Sequence, residues 1–127
     1  MKLLLDTNAF LWALAEPQRL SATVAAALTE QHELLLSLVT PWELAIKITT
    51  GKLTLAGGAL QFVTKHAARN GIRILPIRFE HLHALEHLPL HHRDPFDRML
   101  VAQAIAEGCT LVTSDVRLRQ YSLDVLW

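Results

Sequence analysis

The chain has 127 residues, about half of them hydrophobic (51%), and its twelve basic and twelve acidic side chains cancel to a formal charge of zero. That is the length of one domain, residues 1–127, with too much apolar material for a disordered chain and enough for a sizeable core. It excludes the basic footprint of a duplex-binding protein, and the single Cys109 excludes an internal disulfide and suits a reducing compartment.

In chain order, Leu3-Leu4-Leu5 is a short continuous apolar run, the mark of a strand buried on both faces. Asp6 and Asn8 interrupt it before it reaches a secretory core, and no stretch is long enough to span a bilayer, so a soluble cytoplasmic protein is expected. A helical pattern runs through Phe10–Leu14 and stops at Pro17, and Ser21 caps an alanine-rich helix to Gln31. Leu34–Leu38 reads as the second strand. Thr40-Pro41-Trp42-Glu43 spells a capping box, with Thr40 as N-cap, Pro41 at the first position and Glu43 at the third, opening a helix to Gly51. Gly57-Gly58 marks a turn, and the next helix covers Ala59 to Asn70 and ends at Gly71 as a left-handed cap. Ile72–Pro76 is a third strand. Phe79–Leu88 is amphipathic, with Leu82, Leu85 and Leu88 on one side. Asp94-Pro95-Phe96-Asp97 then starts a helix to Glu107 that buries one face through Leu100, Val101, Ala104 and Ile105 and is capped by Gly108. Thr110–Thr113 is a fourth strand ending at Ser114-Asp115, and a turn of helix and a last strand, Leu123–Trp127, close the chain.

Short apolar strands alternating with helices predict an α/β domain with a mostly parallel central sheet flanked by helices. In such a sheet the helix N-termini gather at the strands' carboxyl edge, where ligands bind. Asp6 and Asp115 end strands there, and Glu43 and Asp97 lie in first helical turns at the same edge. Each has an ordinary reading: Asp6 starts a turn, Glu43 completes a capping box, and Asp115 caps the helix after it. Capping and ligation are compatible, however. Four carboxylates crowded together repel one another unless protonated or joined by a cation, and hard divalent ions take such oxygen ligands.

At this point the sequence resembles a known family. Leu4-Leu5-Asp6-Thr7-Asn8, Trp42-Glu43-Leu44-Ala45-Ile46-Lys47, His92-Arg93-Asp94-Pro95-Phe96-Asp97-Arg98 and Leu111-Val112-Thr113-Ser114-Asp115 look like the motifs of PIN-domain ribonucleases. More narrowly, they look like those of the VapC toxins of bacterial type II toxin–antitoxin modules. The likeness runs the length of the chain, and the Asp94–Arg98 stretch with Ala102-Gln103-Ala104 is its most specific part. It implies a single PIN-like domain that cleaves RNA with Mg²⁺ or Mn²⁺ held by Asp6, Glu43, Asp97 and Asp115. It also implies restraint by a cognate antitoxin, and a homodimer. Asp6, Asp97 and Asp115 would ligate, Glu43 would complete the shell or help deprotonate the attacking water, and Thr7, Asn8 and Thr113 would orient carboxylates or waters. Asp94 is a cap and supporting residue.

Lys47, four residues after Glu43, makes a helical Glu–Lys pair or meets phosphate. Arg93 and Arg98 grip RNA backbone or are solvated surface charge. His83 and His87 share a helix face opposite the leucines, where without cysteine partners they read as solvated rather than zinc-bound, and His91-His92, just before the acidic helix, reads as loop ahead of a role in tuning that helix or contacting RNA. Trp12, Trp42 and Trp127 read as core residues, with Trp42 also placed to line the site. Two rivals stand beside the nuclease: a PIN-like module that binds RNA or protein without cutting it, and a receiver-like phosphoacceptor. The latter lacks an aspartate after the third strand and a lysine after the last.

Overall fold

Three consecutive leucines decide how the sheet is packed. The computed structural model describes every residue from Met1 to Trp127. In it Leu3 and Leu5 of β1 (Lys2–Leu5) face one core, and Leu4 faces a second core on the other side of the sheet. Strand β2 (Glu33–Ser37) repeats the alternation, with Leu35 beside Leu4 and Leu36 beside Leu5. Successive strand side chains point to opposite faces, so only an unbroken apolar run can serve two buried faces. Each fully buried leucine contributes roughly 1.5–3 kcal/mol relative to an exposed one.

The sheet is completed by β3 (Ile72–Leu75), β4 (Thr110–Val112) and β5 (Val125–Leu126), all paired in parallel in the order β3-β2-β1-β4-β5. Receiver-like sheets run β2-β1-β3-β4-β5, so that rival does not fit the observed topology. One face is covered by α1 (Thr7–Ala15), α2 (Ala22–Thr29) and α4 (Ala59–Arg69), through Phe10, Val24, Ala27, Ala59 and Val63. The other is covered by α6 (Pro95–Glu107), backed by α5 (Phe79–Glu86). Helix α3 (Val39–Thr49) gives Val39 to one core and Leu44 to the other. No helix is long and apolar enough to cross a membrane.

Several local expectations are corrected. The α3 helix begins one residue before Thr40, and no capping box forms: the Ser37 Oγ accepts from the Val39 N–H at 3.0 Å, while the Thr40 hydroxyl turns inward to Thr7. Pro41 is still tolerated, because its missing N–H falls among the first-turn donors that have no helical partner. On α5 the buried position is His81 rather than Leu82, which is 43% exposed. Both His81 nitrogens are satisfied, Nδ1 by the Arg78 N–H at 3.0 Å and Nε2 by Glu107 at 3.0 Å, which is what lets an imidazole enter the core. Helix α6 is buried from Met99 to Ala104 without a break, because the sheet lies on one side and α5 on the other, while Ile105, expected on the buried face, is exposed. Trp42 is not core: it is 54% exposed, edge-on to Phe96. Trp12 and Trp127 are half-buried and pack against each other at a centroid distance of 5.8 Å.

Candidate metal centre

The site forms where the strand order turns back. From β1 the chain works outward through β2 and β3, then returns to lay β4 against the other side of β1, so a crevice opens beyond the ends of β1 and β4. Leu5 pairs with Val112, and the Asp6 N–H donates to the Val112 carbonyl at 3.0 Å, which puts Asp6 beside Thr113. The buried Asp6 carboxylate caps α1, accepting from the Ala9 N–H at 2.7 Å. Burial raises its pKa, the Ala9 N–H and Thr113 hydroxyl temper the rise, and the charges of Glu43 and Asp115 add to it.

Asp97 comes to the same place from α6. Asp94 is the N-cap, as expected: its Oδ1 accepts from the Phe96 and Asp97 N–H groups at 2.8 and 3.1 Å. Desolvation pushes Asp97 up to about 6; Asp94, Asp6 and Glu43 push the same way, and His92 pulls against them. Asp115 caps the short 3₁₀ helix Val116–Gln120, its Oδ1 accepting from the Arg117 N–H at 3.0 Å. The Arg117 guanidinium, 2.9 Å from Oδ2, is the main cause of a pKa lowered to about 2. Glu43, on α3, accepts from the Thr7 hydroxyl through Oε1 at 2.9 Å, and its Oε2 pairs with Lys47 at 3.2 Å. Thus the charges of Glu43 and Asp115 reach Asp6, and those of Asp6 and Glu43 reach Asp97, which puts carboxylates from four distant segments in one neighbourhood.

Two participants correct the sequence reading, which ranks His92 as loop above a tuning role and does not single out Arg117. His92 is buried, and its Nδ1 accepts from the Asp94 N–H at 3.0 Å. In the neutral ring the proton is therefore on Nε2, which lies 3.1 Å from Asp115 Oδ2 and 3.3 Å from Asp97 Oδ2. Ligand atoms of His92, Asp97 and Asp115 all fall within 4.8 Å of one another. The other is Arg117, the arginine that actually meets the acidic group. Of the arginines singled out in the sequence, Arg98 is a strut, its guanidinium donating to the Pro89 carbonyl at 2.9 Å and the Tyr121 hydroxyl at 3.0 Å. Arg93 is exposed and lines a shallow groove with Leu85, Leu90 and Pro95. Thr7 and Thr113 are buried among the carboxylates' partners, and Asn8 is exposed.

The donor set is oxygen-rich, and at Asp97 burial first and neighbouring carboxylates second leave the negative charge undercompensated. A hard divalent cation supplies the missing charge, so the residues present fit one.

Comparison with known proteins bears on the family and the fold. Residues 3–123 match the PIN domain family. The chain is 34% identical over 119 residues to Ribonuclease VapC22 of Mycobacterium tuberculosis (strain ATCC 25618 / H37Rv), a span covering 93% of this chain and 90% of that protein. In fold it is similar to VapBC2 from Rickettsia felis bound to a DNA fragment from their promoter, with a TM-score of 0.74 and 17% identity over 99% of this chain and 98% of that one. It is also similar to DNA-bound VapBC from Salmonella typhimurium, with a TM-score of 0.70 and 18% identity over 99% and 97% of the two chains.

Proposed function

The chain belongs to the PIN-domain family and its VapC ribonucleases, and on that footing we propose that it is the endoribonuclease toxin of a VapBC-type toxin–antitoxin pair. The observation that carries the reading is the meeting of Asp6, Glu43, Asp97 and Asp115 at the switch point of the sheet. Family members are in general dependent on a divalent metal, and the ion assigned here is Mg²⁺ or Mn²⁺. Asp6, Asp97 and Asp115 hold it. When bound, such an ion orients the scissile phosphate and offsets charge on the pentavalent transition state.

The chain's own residues do the rest. Glu43, fixed at Oε1 by Thr7, presents Oε2 to receive the proton of the attacking water, and Lys47 sets the charge beside that oxygen. His92 holds Asp97 and Asp115 together from behind, as an outer-shell imidazole does. Thr113, beside Asp6, accepts the Asp115 N–H through its hydroxyl oxygen at 3.2 Å and so fixes the backbone that carries Asp115. Arg117, exposed beside Asp115, would also be within reach of an RNA phosphate held at the crevice.

The antitoxin is assigned to the apolar groove of about 380 Å³ between α1, α2 and the sheet, lined by Phe10, Leu14, Leu20, Leu28, Leu34 and Ile72. The exposed Trp42 and Ile46 on α3 are the faces assigned to a second copy in a homodimer. The purified chain is expected to cut RNA with Mg²⁺ or Mn²⁺ and to stop in excess chelator. Asp6→Asn and Asp97→Asn, with circular dichroism unchanged, are expected to abolish cleavage. Full activity in both variants would refute the assignment.

A further inference from the structure

Away from the acidic crevice, a second group of ligating side chains gathers at the end of α5. His83, Glu86 and His87 each offer a ligand atom within 4.8 Å of the other two, and all three are exposed. Their spacing of i, i+3 and i+4 stacks them on one helical face. The two imidazoles lie 4.6 Å apart between ring centroids. His87 Nδ1 sits 2.8 Å from the His83 carbonyl oxygen. A carbonyl only accepts, so Nδ1 carries the proton and Nε2 keeps the lone pair that a metal needs. This is the backbone-anchored tautomer usual for metal-ligating histidines.

We propose that His83, Glu86 and His87 form a second cation site, chemically distinct from the first, that takes a borderline transition ion, namely Zn²⁺. Two imidazole nitrogens and one carboxylate oxygen suit Zn²⁺ and not Mg²⁺, and three protein ligands leave the fourth tetrahedral position to water. The H-x-x-E-H spacing occurs in one class of zinc peptidases, but here it lies on an exposed helix end that lines none of the chain's clefts, so the site binds rather than hydrolyses. Its effect is local order. His87 is the C-cap of α5, and the turn closes through the His87 N–H to Ala84 and the Leu88 N–H to Leu85, at 3.1 and 3.2 Å. An ion bridging His83 and His87 clamps that turn, from which Leu88–His91 lead directly to His92. The proposal stands independently of the ribonuclease reading.

The test is calorimetric titration of ZnCl₂ into the full chain with MgCl₂ in large excess to occupy the acidic crevice. It is run on the native chain, on His83→Gln/His87→Gln and on Asp97→Asn, with amide hydrogen exchange followed at His87 and Leu88. The native chain and Asp97→Asn are expected to take one equivalent of zinc and to slow exchange at both amides. The double variant is expected to lose affinity by roughly tenfold or more and to show no slowing. The proposal is overturned if the native chain takes no zinc or if the double variant binds like the native chain. It is equally overturned if Asp97→Asn abolishes the uptake, which would place the ion in the crevice.

Discussion

Asp97 is where the fold most visibly resists a negative charge, since burial and three neighbouring carboxylates hold its pKa at about 6. A carboxyl group raised in the folded state contributes stability that is fully present below its ordinary value of 3.8 and is lost as pH rises through about 6. Without divalent ions, Asp97→Asn should therefore become progressively more stable than the native chain across that window; parallel melting curves would contradict this. Asp115 acts in the opposite direction and in a separate window: lowered to about 2, it contributes stability present above 3.8 and lost as pH falls through about 2. His92 acts through Asp97 and Asp115. His92→Gln should lower cleavage by about 10–100-fold and shift the Mn²⁺ concentration for half-maximal rate upward. A loss of rate with the Mn²⁺ dependence unchanged would leave His92 a merely structural role.

At the scale of elements, α6 shows what a sequence can disclose. Asp94, Pro95 and Gly108 fix both of its ends, and the structure places the Asp94 cap and the left-handed Gly108 at φ +67°. These signals act over a few residues, so they are readable in order along the chain. The start of α3 was misread for the same reason in reverse: Thr40-Pro41 spells a cap, but Ser37 supplies it, and Thr40 is drawn to Thr7, 33 residues away. His92 and Arg117 were hidden for different reasons: Asp115, the partner of His92, is 23 residues away across the fold, whereas Arg117 is only two residues from Asp115 but sits in a turn whose direction no periodicity reveals. Asp94→Ala should cost about 1 kcal/mol in urea unfolding. It should also bring the Asp97 pKa down, because the largest charge acting on it is gone. An Asp97 titration unchanged in that variant would contradict the role given to the cap.

For the whole molecule, the parallel sheet was legible from the unbroken leucine runs, and the shared edge of the four carboxylates followed from it. The strand order was not legible, since nothing local says that β4 returns beside β1. That return makes the crevice, and none of its four carboxylates lines the apolar groove along α1 and α2. Leu28→Asp in that groove is expected to prevent co-purification with the antitoxin while RNA cleavage persists. A complex that survives the substitution would assign the partner to another face.

The central claim is that side chains from four distant segments hold one site for a divalent cation, and Mn²⁺ binding measured by electron paramagnetic resonance tests it most directly. The native chain should take up Mn²⁺ with an affinity that weakens as pH falls through about 6, where Asp97 gains its proton. Asp6→Asn, Asp97→Asn and Asp115→Asn should each weaken it by at least about tenfold. Mn²⁺ uptake that is absent from the native chain, or unchanged in all three variants, would contradict the account.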